Sequence, residues 1–488
     1  MKKCNFRELN DWQYTYMSRF QRESERSGDP DLQVNQGFPN EVFYANPNTM
    51  ETTQSDKKRV VVIGGGFAGL NFVKQLYNSP YYQVTLVDKN NYNYFTPLLY
   101  QVATSFLEPS SIAYPFRKLF RGKNITFRMA EVTRIDPEAQ TLSLSDGGEL
   151  IYDYLVLAAG THTNFFGNEQ IQRQAYSLKG MEDALHLRNE LVKIMEKAQI
   201  ESDPEERRRL MSIVIAGGGP TGVELAGMLA EMKAYILSRD YPDLDPAMAS
   251  IHIIDMAPYL LAPMSKKSHQ GAFDELQKLG VKIKLNTGVS AFDGGTVFLS
   301  DGTTIEARTL IWAAGVTANL FEGIDRVSLG KGNRLETNAF GQVKGYKNIF
   351  AAGDIALVHE DKQYPNGHPQ LAQPAIQQGR RLGKNLVRIA KGKPMKPFSY
   401  FDRGDMAIIG RKVAMADLFK HKLHISGFLG LLSWLFIHVI SLVNYNNKIK
   451  TLYNWLVAYL TNDQVLRMIF YSKNSDVPQE QDPAIDKR

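Results

Sequence analysis

The chain has 488 residues, which predicts two or three domains because one hydrophobic core does not serve so long a chain. Its formal net charge of +6 is mild, so it suits a membrane surface or anionic ligands and excludes no class of partner. The single cysteine, Cys4, excludes an intrachain disulfide framework, a CxxC redox pair and a cysteine-rich metal site, so any redox chemistry must be carried by a bound cofactor.

Residues 1–56 are polar, of mixed charge, and lack the apolar run of a secretory signal. We expect a flexible extension here. Aromatic residues scattered through DWQYTYMSRF leave an amphipathic interaction arm as the alternative. The tail at 472–488 is also polar and is expected to be flexible.

A first nucleotide site is predicted after the β-branched run at 59–63. Gly64, Gly66 and Gly69 have G-x-G-x-x-G spacing and precede a helical pattern. Glycine at these points permits a tight turn, a close approach of pyrophosphate and close strand–helix packing. The pyrophosphate then lies at a helix N-terminus. Asp88 ends the next apolar run, where a carboxylate can bind ribose hydroxyls.

The same signal recurs in MSIVIAGGGPTGVELAG with Gly217, Gly219 and Gly222. Asp255 ends the later run SIHIID, farther from its glycines than usual, and the charged segment SRDYPDLDPAM between them is expected to be an inserted loop. No arginine follows Asp255 closely, so a 2′-phosphate has no evident partner and NADH is favoured over NADPH.

Three further apolar runs end in glycine turns. They are YLVLAAGT with Gly160, TLIWAAGV with Gly315, and NIFAAGDIA with the Gly353-Asp354 pair. Together with the two fingerprints, these motifs resemble the two-dinucleotide flavoprotein superfamily. The resemblance implies that the first fingerprint binds FAD, that the second binds NADH, and that Asp354 holds the ribityl-phosphate part of FAD.

The resemblance also implies the fold class. We expect an α/β protein with two Rossmann-like domains, in which an FAD domain (57–175 and 316–395) is interrupted by an NADH domain (176–315). A helical, membrane-associating region is expected at 396–471.

The sequence of the C-terminal region is expected to indicate which electron acceptor the protein uses. The run GFLGLLSWLFIHVISLV (427–443) has no charged residue and no proline, and it reads as a buried core helix, an interfacial or oligomer-contact helix, or a short span. The next segment has apolar residues at helical spacing: Ile449, Leu452, Tyr453, Leu456 and Tyr459 or Leu460, with Trp455 beside them. Nearby Lys448 and Lys450 favour a helix in a membrane interface, and packing on the protein or on a second subunit is the alternative.

The combination of NYNYFTPLLYQVAT, GGGPTGVELAG, AAGDIA, LAQPAIQQG and NKIKTLYNWLVAYLTNDQ resembles the type II NADH:quinone oxidoreductases. This implies transfer of hydride from NADH to FAD and then of two electrons to a quinone, without proton pumping. It also implies a peripheral membrane protein, expected at the cytoplasmic face of a bacterial inner membrane. A homodimer is compatible with this family, and no nucleic acid or metal is expected. Arg403 departs from the family pattern, where lysine is expected.

The resemblance supplies the expected catalytic residues. Glu224, in the first turn of the second fingerprint helix, would orient NADH or relay a proton, and a favourable acid at a helix N-terminus is the simpler alternative. The A-Q-x-A-x-Q pattern maps onto Ala372, Gln373, Ala375 and Gln377, on a helix predicted to begin at Pro374. These glutamines are expected between flavin and quinone, where the helix N-terminus favours negative charge.

The segment YFTPLLYQVAT is more apolar than a loop requires, which predicts a packed segment under the flavin ring with contacts from Pro97, Leu98 and Gln101. Two other functions stay open at this stage. One is an FAD and NADH protein that reduces dioxygen or a ferredoxin-type protein. The other is an interaction protein like the apoptosis-inducing factor group.

Overall fold

The computed structural model describes residues 57–461 and 467–469. The predicted extension at 1–56 and the predicted tail at 472–488 lie outside the described residues.

The described strands are β1 Lys58–Ile63, β2 Tyr82–Asp88, β3 Tyr92–Tyr94, β4 Ala113–Pro115, β5 Ile125–Met129, β6 Val132–Asp136, β7 Thr141–Leu144, β8 Glu149–Ile151, β9 Tyr154–Leu157, β10 Thr161–Thr163, β11 Tyr176–Ser177, β12 Ser212–Ala216, β13 Ser250–Ile254, β14 Lys282–Lys284, β15 Val289–Phe292, β16 Thr296–Leu299, β17 Thr304–Glu306, β18 Thr309–Trp312, β19 Val316–Ala318, β20 Leu335–Thr337, β21 Ile349–Ala351, β22 Ala356–Val358, β23 Gly404–Ile409, β24 Val413–Leu418 and β25 Leu423–Ser426.

The described α-helices are α1 Phe67–Val73, α2 Leu99–Ala103, α3 Pro109–Ile112, α4 Phe116–Leu119, α5 Glu169–Gln174, α6 Met181–Ile200, α7 Pro204–Leu210, α8 Pro220–Met232, α9 Ser238–Asp240, α10 Lys266–Lys278, α11 Ala372–Ala390, α12 Gly427–Ser441 and α13 Tyr445–Thr461.

Two parallel sheets repeat one plan. The first has the strand order β21-β9-β1-β2-β5 and the second the order β11-β18-β12-β13-β14. In each sheet the strand that precedes a glycine fingerprint, β1 or β12, is central. Each sheet is accompanied by a three-stranded antiparallel meander, β6-β7-β8 or β15-β16-β17. This repeat confirms the predicted pair of Rossmann-like units. Ligands in such sheets bind beyond the carboxyl ends of the central strands.

The chain passes between the two sheets through β10 and β19, which pair antiparallel and follow directly after the glycine turns at Gly160 and Gly315. The short helix α5 packs on β15 of the second unit, and the side-chain amide of Asn168 donates to the carbonyl of Ser290. Residues from about 164 therefore pack with the second sheet, earlier than the expected start at 176.

The segment expected to be an inserted loop before Asp255 is partly helical. Helix α8 continues through a π-helical turn, Lys233–Leu237, into α9. The long spacing between the second fingerprint and its acid therefore comes mainly from added helix, and only 241–249 lies outside regular α- or π-helix.

The C-terminal region is not only helical as expected. Strands β23, β24 and β25 form an antiparallel sheet before helices α12 and α13. Buried residues of this region, including Ile408, Trp434 and Trp455, share one hydrophobic cluster with helix α8 and with the 95–107 segment. The region is consequently built into the core that surrounds the second fingerprint helix.

Candidate functional site

The first glycine turn is shaped by close backbone contacts. Gly64 has φ +96°, and a Cβ there would lie 2.5 Å from the carbonyl oxygen of Ala158. A Cβ on Gly69 would lie 1.9 Å from the carbonyl oxygen of Gly64, so both positions require glycine. The carboxylate of Asp88 accepts a hydrogen bond from the Gly65 amide at 2.7 Å. The acid is thus held against the turn, at the end of β2.

The second glycine turn repeats this geometry. Gly217 has φ +115°, and a Cβ on Gly222 would lie 1.9 Å from the Gly217 carbonyl oxygen. The carboxylate of Asp255 accepts hydrogen bonds from the Gly218 amide and, at 2.6 Å, from the Ala257 amide. The predicted acid therefore occupies the same position as Asp88 despite its longer spacing.

The middle glycine of each fingerprint, in contrast, faces open space. A Cβ on Gly66, on Gly219 or on Gly160 would meet no atom within 4 Å. Gly66 and Gly219 precede helices α1 and α8 with φ of −71° and −73°. These two positions leave room for a ligand at a helix N-terminus, where unpaired N–H groups favour phosphate. Gly315 is different, because a Cβ there would lie 2.9 Å from the ring of Phe166.

Asp354 lies in a buried cluster of charges. Burial raises the pKa of its carboxyl, although the nearby cations Lys179 and Arg334 oppose the rise. Burial lowers the pKa of the Lys179 amine, and Asp354 opposes that shift in turn. The buried hydroxyl of Thr161 also lies beside Asp354 and favours the charged form of its carboxyl. This cluster lies at the carboxyl end of β21, where a polar ligand group can satisfy it.

The glutamine helix α11 begins at Ala372, two residues before the predicted start at Pro374. It packs on fingerprint helix α1, and a Cβ on Gly379 would lie 2.1 Å from the carbonyl oxygen of Ala68. Ala372 and Gln373 are the first two helical residues, and Ala375 on the same helix lies beside Gly353.

Gln377 is bound to the protein itself. Its Nε2 donates to the carbonyl of Phe401 at 2.9 Å, and its Oε1 accepts from the Phe401 amide at 3.1 Å. The amide group thus holds the backbone of the segment just before β23. A direct contact of Gln377 with a ligand remains a prediction.

Glu224 is the fifth residue of helix α8, beyond the predicted first turn, so it is not an exposed acid at a helix N-terminus. It is buried, and Oε1 accepts a hydrogen bond from the Ile408 amide at 3.3 Å. Burial raises the pKa of this carboxyl to about 8, even though the Ile408 amide and the nearby Trp434 indole favour its charged form. The group therefore carries a proton at neutral pH.

The 96–103 segment packs between the site and the C-terminal helices. Pro97 is half-buried in a 3₁₀ turn, and Leu98 is fully buried. Gln101 does not have a free amide: its Oε1 accepts from the Trp455 indole at 2.8 Å, and its Nε2 donates to the Tyr100 hydroxyl at 3.0 Å. Gln101 thus binds helix α13, and its contact with flavin stays a prediction.

Helices α12 and α13 expose apolar side chains. We call the following residues, each with two fifths or more of its surface exposed, the apolar face: Phe428, Leu429, Leu432, Phe436, Ile437, Ile440, Ile449, Leu452, Tyr453, Leu456 and Leu460. The polar side of α13 faces inward. Asn447 donates to the carbonyls of Ser110, Ser111 and Ala113, and Thr451 donates to that of Ser111. Across 57–461 and 467–469, no helix has the length and hydropathy needed to cross a membrane.

The structure therefore brings most of the predicted residues into groups. Close contacts and hydrogen bonds join Gly64, Gly69 and Asp88 at the first turn, and Gly217, Gly222 and Asp255 at the second. Asp354 lies with Lys179 and Arg334, and Gln377 contacts Phe401. Glu224 extends from the second group toward Tyr100 and Ile408. Sequence patterns missed Lys179 and Tyr100, because nothing local distinguishes a buried lysine or tyrosine near a site. Arg403 has an exposed side chain, and its backbone carbonyl accepts from the Phe419 amide.

Comparison with known proteins agrees with this arrangement. The family described as pyridine nucleotide-disulphide oxidoreductase matches residues 58–379. A type II NADH:quinone oxidoreductase of Mycobacterium tuberculosis, Ndh, is 36% identical over 432 residues, covering 85% of this chain and 91% of that protein. A type II NADH:quinone oxidoreductase of Staphylococcus aureus is 31% identical over 369 residues, covering 73% of this chain and 88% of that protein.

Among solved structures, NDH2 from Plasmodium falciparum in complex with NADH has a TM-score of 0.78 at 20% identity, covering 85% of this chain and all of that chain. The sulfide:quinone oxidoreductase from Aquifex aeolicus has a TM-score of 0.64 at 21% identity, covering 83% of this chain and 96% of that chain. At these identities the likeness concerns the fold. The sequence relatives show the family: the chain belongs to the pyridine nucleotide-disulphide oxidoreductases and, among them, to the type II NADH:quinone oxidoreductases.

Proposed function

We propose that this protein is a single-subunit NADH:quinone oxidoreductase that carries FAD at the first glycine fingerprint and binds NADH at the second. The observation that carries the proposal is the repeat of one geometry, with an open middle glycine at each helix N-terminus and an acid held against each turn. When bound, FAD supplies the chemistry that accepts hydride from NADH and delivers two electrons to a quinone.

The first turn fits FAD. Gly66 leaves room for a pyrophosphate, and the buried cluster of Thr161, Asp354 and Lys179 suits a polar group of the ribityl chain. The second turn fits NADH, because the Asp255 carboxylate suits a ribose diol and repels a 2′-phosphate. On this reading, the domains are 57–175 with 316–395 for FAD and 176–315 for NADH, with the α5 residues packing on the latter.

The chain's own residues supply a proton and a shaped site. Glu224 holds a proton at its carboxyl at neutral pH, which suits a donor for a quinone that takes up two protons. Gln373, at the start of α11, is proposed to contact the quinone or the flavin. Gln377 fixes Phe401 beside it. Pro97 and Gln101 are proposed to pack near the flavin, and Gln101 also accepts a hydrogen bond from Trp455.

A matched pair of alanine variants tests the two nucleotide sites. Gly66→Ala should fold normally, because its φ is ordinary and its Cβ has room, yet FAD affinity should fall about tenfold or more since the methyl group occupies the pyrophosphate approach. Gly219→Ala should keep its FAD and raise KM for NADH instead. Flavin content after gel filtration and steady-state KM values measure both effects. Full flavin content in Gly66→Ala would contradict the assignment of the first turn.

Gln377→Ala should raise KM for quinone about fivefold and leave KM for NADH unchanged, because it removes both hydrogen bonds to the Phe401 backbone. Steady-state kinetics with each substrate varied in turn measure this. Lys384→Ala, an exposed position on the same helix, is the control and should change neither constant. Equal effects of Gln377→Ala on both KM values would indicate that the residue only stabilises the helix.

We also propose that the apolar face lies in a membrane interface, as a peripheral attachment at the cytoplasmic face of a bacterial inner membrane. Support comes from helix α13, which turns its polar side toward the protein and its apolar side toward the surface. The polar side binds protein carbonyls, and the apolar side is exposed. Lys420, Lys422 and Lys450 are exposed nearby in sequence and suit anionic headgroups. Pairing of this face with a second copy is the alternative occupant.

The proposed acceptor is tested with purified, FAD-loaded protein. NADH oxidation should be stimulated by a quinone analogue far more than by dioxygen or a ferredoxin. Oxidation that is insensitive to quinone would contradict the proposal and favour another acceptor.

A further inference from the structure

A chain of buried polar side chains connects the Gly353 turn with the segment that precedes β23. The Gly353 amide donates to Gln378 Oε1 at 2.6 Å, and Gln378 Nε2 lies 3.4 Å from His368 Nδ1. His368 Nε2 lies 3.0 Å from Asp361 Oδ2, which also accepts from the Tyr400 amide at 3.1 Å. Gln378, His368 and Asp361 are each 8% exposed or less. Buried polar groups in such a chain are costly unless each is paired.

The directions of these hydrogen bonds determine the tautomer of the His368 imidazole. A backbone N–H only donates, so Gln378 accepts through Oε1 and donates through Nε2. His368 therefore accepts at Nδ1 and carries its hydrogen on Nε2, which donates to Asp361. This assignment follows from the hydrogen-bond pattern. An acceptor at one ring nitrogen and a donor at the other let a single imidazole join a donor group to an acceptor group.

The charges agree with a neutral imidazole beside an ionised carboxylate. Burial lowers the pKa of His368, and Asp361 opposes the shift. Although burial works in the other direction, hydrogen bonds from His368, Tyr400 and Gln363 hold the pKa of Asp361 below its usual range. Arg334 is the nearby cation, and it donates to the backbone carbonyl of His368 at 3.1 Å.

The imidazole is also held by aromatic contacts. The rings of Tyr364, Phe398 and Tyr400 have centroids 5.3, 5.0 and 5.9 Å from that of His368. A ring packed on these sides has little freedom to tilt. The imidazole therefore keeps its position between Gln378 and Asp361.

Two consecutive residues of α11 thus hold two consecutive residues of the 400–401 segment. Gln377 binds Phe401 directly, and Gln378 reaches the Tyr400 amide through His368 and Asp361. We propose that Gln378, His368 and Asp361 form a positioning relay with two halves: through Gln378, His368 holds the Gly353-Asp354 turn on the flavin side, and through Asp361 it holds the 400–401 segment on the quinone side. The relay rests on the proposed function of this site, and its members are positioning residues.

Two substitutions separate the halves of the relay. His368→Asn keeps an acceptor near the position of Nδ1, so it keeps Gln378 in place but does not reach Asp361. His368→Gln keeps a donor near the position of Nε2, so it keeps Asp361 in place but leaves Gln378 without its partner. A residue with a merely structural role would give one graded loss for both, whereas the relay gives opposite patterns.

We expect His368→Asn to raise KM for quinone about tenfold, the effect of losing one buried hydrogen bond to a charged group, with the flavin midpoint potential unchanged. We expect His368→Gln to shift the flavin midpoint potential, with KM for quinone within about twofold of the wild-type value, because its remaining hydrogen bond holds the quinone side. Redox titration of the bound flavin and steady-state kinetics measure the two quantities. His359→Gln, at an exposed histidine on the same loop, is the control and should change neither.

Identical behaviour of the two His368 variants, in either readout, would overturn the relay. If these variants fail to keep FAD, Asp361→Asn is the second test, because it keeps the shape and removes one acceptor oxygen. It should raise KM for quinone without a shift in potential, and an unchanged KM would also overturn the relay. A wild-type protein that does not respond to quinone would instead refute the proposed function, while the flavin potentials would still test the flavin half.

Discussion

Replacement of Glu224 by Gln is expected to lower turnover about a hundredfold while FAD content stays that of the wild type. The substitution keeps the shape of the side chain and an acceptor for the Ile408 amide, but it removes the transferable proton. A positioned proton donor contributes a factor of about 10² to 10⁴. Rapid mixing with NADH and then with quinone separates the two half-reactions, and we expect the loss in the second.

The wild-type pH profile provides a second readout of Glu224. Because its pKa is about 8, turnover that needs the protonated carboxyl should fall as pH rises through that value. The Glu224→Gln variant should lack this limb. An unchanged profile and unchanged kinetics with both substrates would remove Glu224 from the site.

Glu224→Gln lowers turnover, but it should make the folded protein more resistant than the wild type to unfolding at high pH. The carboxyl has its ordinary pKa of 4.5 when unfolded and about 8 when folded, so between these values the folded state binds more protons. The contribution of this carboxyl to the free energy of unfolding is therefore full below pH 4.5. It falls as pH rises to about 8, by at most about 1.4 kcal/mol per pH unit. Glu224→Gln should escape this loss, and denaturant titrations at pH 5 and pH 9 measure the difference.

A second large effect is expected when charge is introduced into the apolar face. The double variant Leu452→Asp, Leu456→Asp should bind lipid vesicles roughly a hundredfold more weakly, because two carboxylates cannot enter the interface without losing hydration. Oxidation of NADH with a water-soluble quinone analogue should continue. Flotation with vesicles of zwitterionic and anionic lipids measures the binding, and Ile200→Asp, at an exposed apolar position outside the face, is the control.

Point substitutions are preferable to removal of the helices. Deletion from Phe428 onward would expose the partners of Trp434 and Trp455, which are buried in the shared core, and would leave Gln101 without its indole donor. Undiminished flotation of the double variant would show that the attachment lies elsewhere. A fall in molecular mass of the detergent-solubilised protein would instead assign the face to contact between copies.

The features that sequence alone predicted are local ones. A glycine turn after a β-branched strand is determined by backbone sterics within a few residues, so Gly64, Gly69, Gly217 and Gly222 could be assigned in advance. Asp255 was found despite its unusual spacing because it too ends a strand next to the fingerprint strand.

The features that sequence did not predict depend on distant partners. Apolar periodicity identified the face of α13 that carries Leu452 and Leu456, but not whether that face is buried. Its direction is set by carbonyls at 110–113, which Asn447 and Thr451 satisfy. Likewise, the depth of Glu224 depends on β23, far along the chain, and the partner of Gln377 is the backbone of Phe401.

The antiparallel pair β10 and β19 has a consequence for engineering. Entry to and exit from the second sheet lie side by side, so residues between them form an insertion whose two ends are already adjacent. Such a segment can be exchanged for the equivalent segment of a relative without changing the distance between the two points where it joins the rest of the chain. Coenzyme preference should therefore be transferable as one cassette with the junctions at Thr163 and Val316, provided that its second fingerprint helix fits the C-terminal residues that share a core with α8.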